Sequence, residues 1–136
     1  MEKLRTLAAV TIAAATFVVA APSASAAVEA RVAANGPHTI SRGVATVDLF
    51  VNCTDSETGS DLLTDATLTV TLTQGHRSVT RVEEIRCFGD DLVDTTFRGF
   101  HPGEAFIEAT LTACDVNNPE DCDTSSLATE ITLVRA

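Results

Sequence analysis

The sequence predicts an all-β protein, an antiparallel immunoglobulin-like sandwich of two sheets with about seven strands. Three observations support this fold. Apolar and polar residues alternate with a period of two in several stretches, turn-forming residues recur about every dozen residues, and no stretch after residue 26 has helical periodicity. A period of two places alternate side chains on opposite faces of a strand, so two layers with facing apolar surfaces account for the pattern.

The first 26 residues have the composition of a secretory signal peptide. Lys3 and Arg5 supply positive charge, residues 7–21 form an apolar run, and Ala24-Ser25-Ala26 fits the small-residue rule for cleavage after Ala26. A membrane-spanning helix needs roughly 20 apolar residues, so this run is too short. We therefore expect a secreted, extracellular protein that consists of a single domain, residues 27–136, with no membrane attachment after cleavage.

The first half of this domain divides into strands at its turn signals. Residues 28–33 alternate as an edge-like strand, which ends at Asn35-Gly36-Pro37 because proline cannot donate to a β-ladder. A short extended piece, residues 38–42, precedes residues 44–54, the longest β-rich stretch, which we place at the centre of the fold. Residues 55–61 are polar and turn-rich, and they predict an exposed loop.

Two later strands show the strictest alternation. Apolar residues alternate with four threonines in residues 66–73, and small alanines recur on the apolar face of residues 105–114. Residues 77–87 are extended but irregular, which a bulge or an edge position explains. The remaining segments are a short strand at residues 92–97, an acidic loop at residues 115–126 and a closing strand at residues 127–133.

The predicted mature chain is strongly acidic and has no lysine. Seven arginines stand against 18 aspartates and glutamates, so the net charge without residues 1–26 is −11. Such a surface repels nucleic acid phosphates and anionic lipid headgroups. We therefore expect no nucleic-acid partner and no membrane partner, and we expect an extracellular protein or a small molecule instead.

The four cysteines predict two disulfides, because an exported chain meets no reducing thiol pool. Zinc is the alternative, although the chain has no Cys-x-x-Cys pair and its histidines lie far from the cysteines in sequence. Strand parity places Cys53 on a buried face and Cys114 on an exposed one, which argues against joining them. Cys122 follows Cys114 across a turn-forming segment, so we pair Cys114 with Cys122 and Cys53 with Cys87. A one-residue bulge before Cys114 would reopen this assignment.

The acidic segment from Asp115 to Asp123 is the candidate metal site. Asp115, Asn117, Asp121 and Asp123 offer hard oxygen ligands of the kind that Ca²⁺ uses. The segment lacks the glycine and the 12-residue spacing of an EF-hand. We favour a solvated acidic loop and expect no metal and no cofactor.

No catalytic constellation is evident. The sequence has neither a Gly-x-Ser-x-Gly elbow nor a His-Glu-x-x-His pair, and its three histidines are scattered. The pairs Glu83-Glu84 and Asp90-Asp91 are adjacent in predicted extended or turn segments, and neighbouring strand residues point to opposite faces. We therefore predict no catalytic residue and no enzymatic activity.

Two phenylalanines are candidates for an exposed apolar contact patch. Phe50 and Phe106 lie on the faces opposite the predicted core of their strands. If their strands are close, the two rings form a small surface for a partner or ligand. Cover by a neighbouring strand or loop is the alternative, and it is the one we favour.

The segments Val51-Asn-Cys-Thr54 and Phe100-His-Pro-Gly-Glu-Ala105, with the turn after Cys87, resemble the small secreted immunoglobulin-like proteins of actinobacteria. The resemblance implies a non-enzymatic binding or extracellular structural role and assigns no site residue. In size, compartment and disulfide content the chain is also similar to two functional families. These are the enediyne apoproteins, which carry a small molecule, and protease inhibitors of the subtilisin-inhibitor type. A small-molecule carrier and a secreted protease inhibitor are therefore the alternative functions.

Overall fold

The structure is a computed structural model, and it describes residues 27–136. The predicted signal peptide, residues 1–26, lies outside the described residues. Across residues 27–136 no helix is long and apolar enough to cross a membrane. The strands are β1 (Val28–Ala34), β2 (His38–Ser41), β3 (Val44–Asp55), β4 (Leu63–Gln74), β5 (Arg77–Arg98), β6 (Gly103–Asp115) and β7 (Asn118–Arg135).

The all-β prediction is confirmed, but the predicted immunoglobulin-like sandwich of two sheets is wrong. The strands form one sheet in the order β3-β2-β7-β6-β4-β5, and β5 pairs again with β3, which closes a six-stranded barrel. Strand β1 is an additional strand that pairs with β3. The pairings are antiparallel except that between β2 and β7, which is parallel.

The long strand β5 is the main reason why two separate layers do not form. Residues 77–88 of β5 pair with β4, and residues 89–98 pair with β3. The change of partner falls at Gly89, whose φ is +64° and whose position has no room for a Cβ, because that atom would lie 2.6 Å from the Asp61 side chain. The sequence around Gly89 predicts a turn between two strands. In the structure β5 is unbroken at Gly89 but reverses direction there, because its two ends meet and the Arg77 Nε donates to the Arg98 carbonyl at 3.3 Å. The two arms of β5 therefore join both halves of the fold.

The predicted alternation of β3, β4 and β6 is confirmed by burial. Their inward side chains are fully buried and form one hydrophobic cluster that fills the barrel. Phe97 and Phe100 add an edge-to-face aromatic pair with ring centroids 6.2 Å apart. The largest aliphatic side chains that are fully buried in this core are Leu49, Leu68, Leu72, Ile107, Leu111 and Leu133.

Two disulfides join Cys53 to Cys87 and Cys114 to Cys122, the same two pairs that strand parity predicts. Cys53 and Cys87 are fully buried, whereas the second bridge links β6 to β7 on the outer surface, with the Cα atoms 4.0 Å apart. Two disulfides are compatible with an extracellular protein.

The predicted acidic loop, residues 115–126, is largely strand. Strand β6 ends at Asp115, Val116 and Asn117 form the turn, and β7 begins at Asn118. The sequence pattern does not predict the first half of β7 as a strand, because polar residues occupy both of its faces. A polar inner face is tolerated here because it serves as a row of hydrogen-bond acceptors for β1.

Strands β1 and β7 meet along a seam that side chains close. The backbone N–H groups of Val28, Ala30 and Val32 point away from β3 and donate to β7. Their acceptors are Asp121 Oδ1 at 3.3 Å, Asp123 Oδ2 at 2.9 Å and Ser125 Oγ at 3.3 Å. The seam satisfies the free donors of β1 without a backbone ladder.

Candidate functional site

The two ends of the barrel carry opposite charge. We define the basic end as the turns and strand termini that contain Arg42, Arg77, Arg98 and Arg135, together with His76 and His101. These are four of the seven arginines that follow residue 26. The acidic end, at the opposite termini of the same strands, comprises residues 55–65 and 115–123. It contains Asp55, Glu57, Asp61, Asp65, Asp115, Glu120, Asp121 and Asp123.

The basic end is organised by the loop between β5 and β6, residues 99–102. Gln74 holds this loop, since its side-chain amide donates to the carbonyls of His101 at 2.9 Å and Glu104 at 3.1 Å and accepts from the His101 N–H at 2.9 Å. The Gly99 N–H donates to the carbonyl of Gly43 at 2.8 Å. These bonds tie three separate turns into one surface.

Arg77 is fixed in place although it is exposed. Its guanidinium carbon lies 5.8 Å from the ring centroid of buried Phe100, and its Nε donates to the Arg98 carbonyl at 3.3 Å. It also covers Gly99, where a Cβ would lie 2.4 Å from the guanidinium. The φ of Gly99 is +88°, a backbone conformation that favours glycine, and a Cβ at this position would displace the guanidinium.

Arg42 occupies a backbone conformation that arginine rarely adopts. With Gly43 it forms the two-residue turn between β2 and β3, and both residues have positive φ, +54° and +78°. Asparagine or glycine suits the first position of such a turn better than arginine does. Strain of this kind at an exposed residue points to a role for its side chain.

Two shallow hollows open side by side at the basic end. One, of about 480 Å³, is lined by Arg42 and Arg135, and the other, of about 700 Å³, by His76 and Arg77. Both hollows are lined by Gly99, His101 and Pro102, so the loop at residues 99–102 lies between them and forms part of each. Glu104 is the acidic side chain among the lining residues.

Within residues 27–136, no carboxylate forms an ion pair with an arginine of the basic end. In the part of the chain that the structure describes, ion pairs join Arg31 to Glu29 and Arg86 to Asp65, both away from this end. The basic end therefore presents its positive charge to solvent. In a protein of net charge −11 beyond residue 26, this is a local reversal of sign.

The residues of the predicted calcium loop have other partners. Asp121 and Asp123 accept hydrogen bonds from β1 at the seam, and Asp115 Oδ1 accepts from the Asn117 N–H at 2.9 Å within its own turn. Across residues 27–136, no group of three or more His, Cys, Asp or Glu side chains is placed to hold a metal ion.

Phe50 and Phe106 do not form a common patch. Phe50 lies on β3 opposite Leu92 of β5, whereas Phe106 lies on β6 between Thr73 and Glu130. Strands β3 and β6 do not pair, and their outer faces diverge around the closed barrel. The apolar neighbour of Phe50 on the surface is therefore Leu92, which is 56% exposed.

The three histidines fall into two settings. His76 and His101 are exposed and line the same hollow at the basic end, which their separation in the sequence does not suggest. His38 is buried in the wall of the barrel, where its Nδ1 accepts from the Asp48 N–H at 3.3 Å. Burial lowers the pKa of His38, because the charged imidazolium loses its hydration.

The geometry offers little support for a small-molecule carrier or a protease inhibitor. The interior is filled by the core side chains, and the hollows at the basic end are shallow and open, so they do not offer an enclosed apolar chamber. The Cys114–Cys122 disulfide braces a two-residue turn rather than an extended loop.

Comparison with known proteins gives no family. No protein-family model and no curated protein matches the chain. Among solved structures, the chain is similar to a selenomethionine-labelled β-glucosidase from Kluyveromyces marxianus, with a TM-score of 0.36 and 9% identity. The glucose complex of β-glucosidase from the same organism has a TM-score of 0.37 and 7% identity. In both cases the match covers 82% of this chain and 15% of the other, so the chain spans about a seventh of their length.

Proposed function

We propose that this protein is an extracellular, non-catalytic binding module whose basic end binds a ligand with several carboxylate groups. The strained Arg42 carries the proposal. A turn that favours asparagine or glycine instead holds an exposed arginine at a cost of about 1 kcal/mol or more, and that arginine lines a hollow shared with Arg135.

Carboxylates suit this surface for two reasons. Arginine presents planar N–H groups that match the two oxygens of a carboxylate. The arginines are spread over two adjoining hollows, so a ligand with two or more charges contacts more of them than a single anion does. The surrounding acidic surface repels the same ligand elsewhere, which directs it to this end.

The binding role does not require the histidines to perform chemistry. His76 and His101 add hydrogen-bonding groups to the rim of the larger hollow. The hydrogen bonds of the loop at residues 99–102 to Gln74 and Gly43 pre-organise the surface, which lowers the entropy lost on binding.

The proposal is tested by calorimetric titration of residues 27–136 with citrate and, separately, with hexaglutamate. Citrate represents a small molecule, and hexaglutamate represents an acidic segment of a partner protein. We expect at least one of them to bind, with an affinity that falls as salt is added. The variants Arg42→Asn and Arg135→Gln should each weaken binding about fivefold, equivalent to about 1 kcal/mol.

Arg81→Gln is the matched control, because it removes the same charge from the middle of β5. Arg42→Asn should also raise the free energy of unfolding by about 0.5 to 1 kcal/mol, because asparagine adopts a positive φ more readily. Loss of binding in a stabilised variant cannot be due to unfolding. If neither ligand binds, or if Arg81→Gln weakens binding as much as Arg42→Asn does, the basic end is not the site.

A further inference from the structure

A buried carboxylate oxygen without a donor lies next to the start of β1. Asp121 Oδ1 accepts a hydrogen bond from the Val28 N–H at 3.3 Å. Asp121 Oδ2 is buried and has no hydrogen-bond partner within residues 27–136. Such an oxygen destabilises the folded state, because it has lost its hydration and has no donor in exchange. A positively charged donor suits a carboxylate best.

The charged residues around this point are almost all acidic. The Ala27 carbonyl accepts from the Ser56 N–H at 2.9 Å, so Ala27 lies at the turn that follows β3. The base that is nearest in sequence, Arg31, is paired with Glu29. The acidic residues within two positions of Ala27, Ser56 or Asp121, together with the one that ends β6, are Glu29, Asp55, Glu57, Asp115, Glu120 and Asp123. A cation at this point is therefore favoured from each strand around it.

Removal of the predicted signal peptide creates a cation one residue away. Cleavage after Ala26 leaves Ala27 as the N-terminal residue, with a free α-ammonium group. One residue spans at most ~3.6 Å, and the Val28 nitrogen already lies 3.3 Å from the same carboxylate. A rotation about the Cα–C bond of Ala27 therefore brings its nitrogen within reach of Asp121 Oδ2.

The same nitrogen is a poor donor to Asp121 while the signal peptide is attached. As an amide it carries one hydrogen, and backbone alternation directs that hydrogen toward β3, the side on which the Ala27 carbonyl is bonded. An ammonium group carries three hydrogens and rotates freely, so it can donate toward β3 and β7 together. Cleavage thus changes both the charge and the direction of the donor.

We propose that Asp121 is the binding site for the α-ammonium group that signal-peptide cleavage creates at Ala27, and that this ion pair completes the attachment of β1. The pair lies at the start of the β1–β7 seam, where side chains rather than a backbone ladder hold the two strands. The uncleaved chain lacks the pair, so its first strand is held less firmly until the signal peptide is removed. The proposal is independent of the basic end, which lies at the opposite termini of the strands.

The test starts from the exported protein. The full chain is expressed in a secreting bacterial host, and the N-terminal residue of the product is determined by mass spectrometry. We expect Ala27, and a product that begins at any other residue would overturn the proposal. Residues 27–136 contain no lysine, so the α-amine is the single primary amine of this product. Acetylation by N-hydroxysuccinimidyl acetate therefore reports on this group.

The rate of acetylation measures whether Asp121 holds the amine. Pairing raises the pKa of the Ala27 α-amine above its ordinary value, and a protonated amine is not a nucleophile. At about pH 7.5 the folded protein should react roughly fivefold more slowly than its Asp121→Asn variant. Asp123→Asn is the matched control, since Asp123 accepts from Ala30 on the same seam, and it should react as the unsubstituted protein does. Equal rates for the unsubstituted protein and Asp121→Asn would contradict the proposal.

Unfolding in urea gives a second measurement that needs no substitution. At about pH 6.5, acetylation of the α-amine should raise the equilibrium constant of unfolding about fivefold, and it should leave that of Asp121→Asn unchanged. Because folding raises the pKa of this amine, the stabilisation is complete below the ordinary pKa of an α-amine and is lost as the pH rises through the folded value. Other titrating groups cancel, because both forms of the protein contain them. If acetylation has no effect, or the same effect in Asp121→Asn, the amine does not bind Asp121.

Discussion

The two ends of the barrel are held together by different means. Both disulfides lie toward the acidic end, where they join β3 to β5 and β6 to β7. The basic end has no covalent bridge in the described part of the chain, and Gln74 and Arg77 hold its loops through hydrogen bonds and stacking. The difference indicates that the acidic end provides the stable frame, whereas the basic end is a surface assembled on it.

The largest expected effect tests the frame. Replacing Cys53 and Cys87 by alanine should lower the free energy of unfolding by about 4 kcal/mol, because the bridge closes a long loop in the unfolded chain. Replacing Cys114 and Cys122 should lower it by about 2.5 kcal/mol, since that loop is shorter. Urea denaturation measures both. The comparison of the two ends would fail if the second variant lost citrate binding while remaining folded.

A smaller effect tests how the basic end is assembled. Gly99→Ala should lower the free energy of unfolding by about 2 kcal/mol, because alanine resists a positive φ and its Cβ displaces Arg77. Gly59→Ala at the acidic end is matched, since its φ is +75° and nothing lies within 4 Å of a Cβ there. Gly59→Ala should lower the free energy of unfolding by about 1 kcal/mol.

Combining Gly99→Ala with Arg77→Ala separates the two causes. Without the guanidinium, the cost of Gly99→Ala should fall to that of Gly59→Ala, which a double-mutant cycle in urea denaturation measures. Additive effects of the two substitutions would show that Arg77 does not hold the loop.

The smallest expected effect concerns the wall between the two ends. Because burial lowers the pKa of His38 in the folded protein, the unfolded state binds a proton first as the pH falls. The free energy of unfolding should therefore decrease below about pH 6.5, with a slope of at most about 1.4 kcal/mol per pH unit from this residue. His38→Gln should remove this component of the slope, and His76→Gln, at the exposed basic end, should retain it. Denaturation curves at several pH values measure it.

Much of the fold follows from local pattern, and its closure does not. The alternation in β3, β4 and β6 identifies the core face, and the same parity pairs the cysteines. The barrel depends instead on how β5 changes partner and direction at Gly89 and on which strands lie beside β2. A glycine inside a polar segment predicts a turn as readily as a change of partner within a strand. The first half of β7 has no apolar face, so its pattern carries no strand signal.

The candidate sites were harder to predict than the core. The basic end is built from residues that are distant in sequence, Arg42, Arg77, Arg98 and Arg135, and the folded barrel brings them together. The net charge of the chain is negative, so composition does not predict a positively charged surface. The one local signal is the turn Ser41-Arg42-Gly43, where arginine stands in place of a better turn former. Phe50 was correctly placed on an outer face, but its surface neighbour, Leu92, depends on the unforeseen pairing of β3 with β5.

The hydrogen bonds of the β1–β7 seam can be changed by substitution of single residues. Hydrogen bonds between two backbones form whatever side chains the strands carry, so substitutions rarely remove them. Here the acceptor of each hydrogen bond is a side-chain carboxylate or hydroxyl that a single substitution can remove, at Asp121, Asp123 and Ser125. Evolution or an engineer can thus loosen or tighten this side of the first strand one hydrogen bond at a time, while the backbone ladder between β1 and β3 keeps its register.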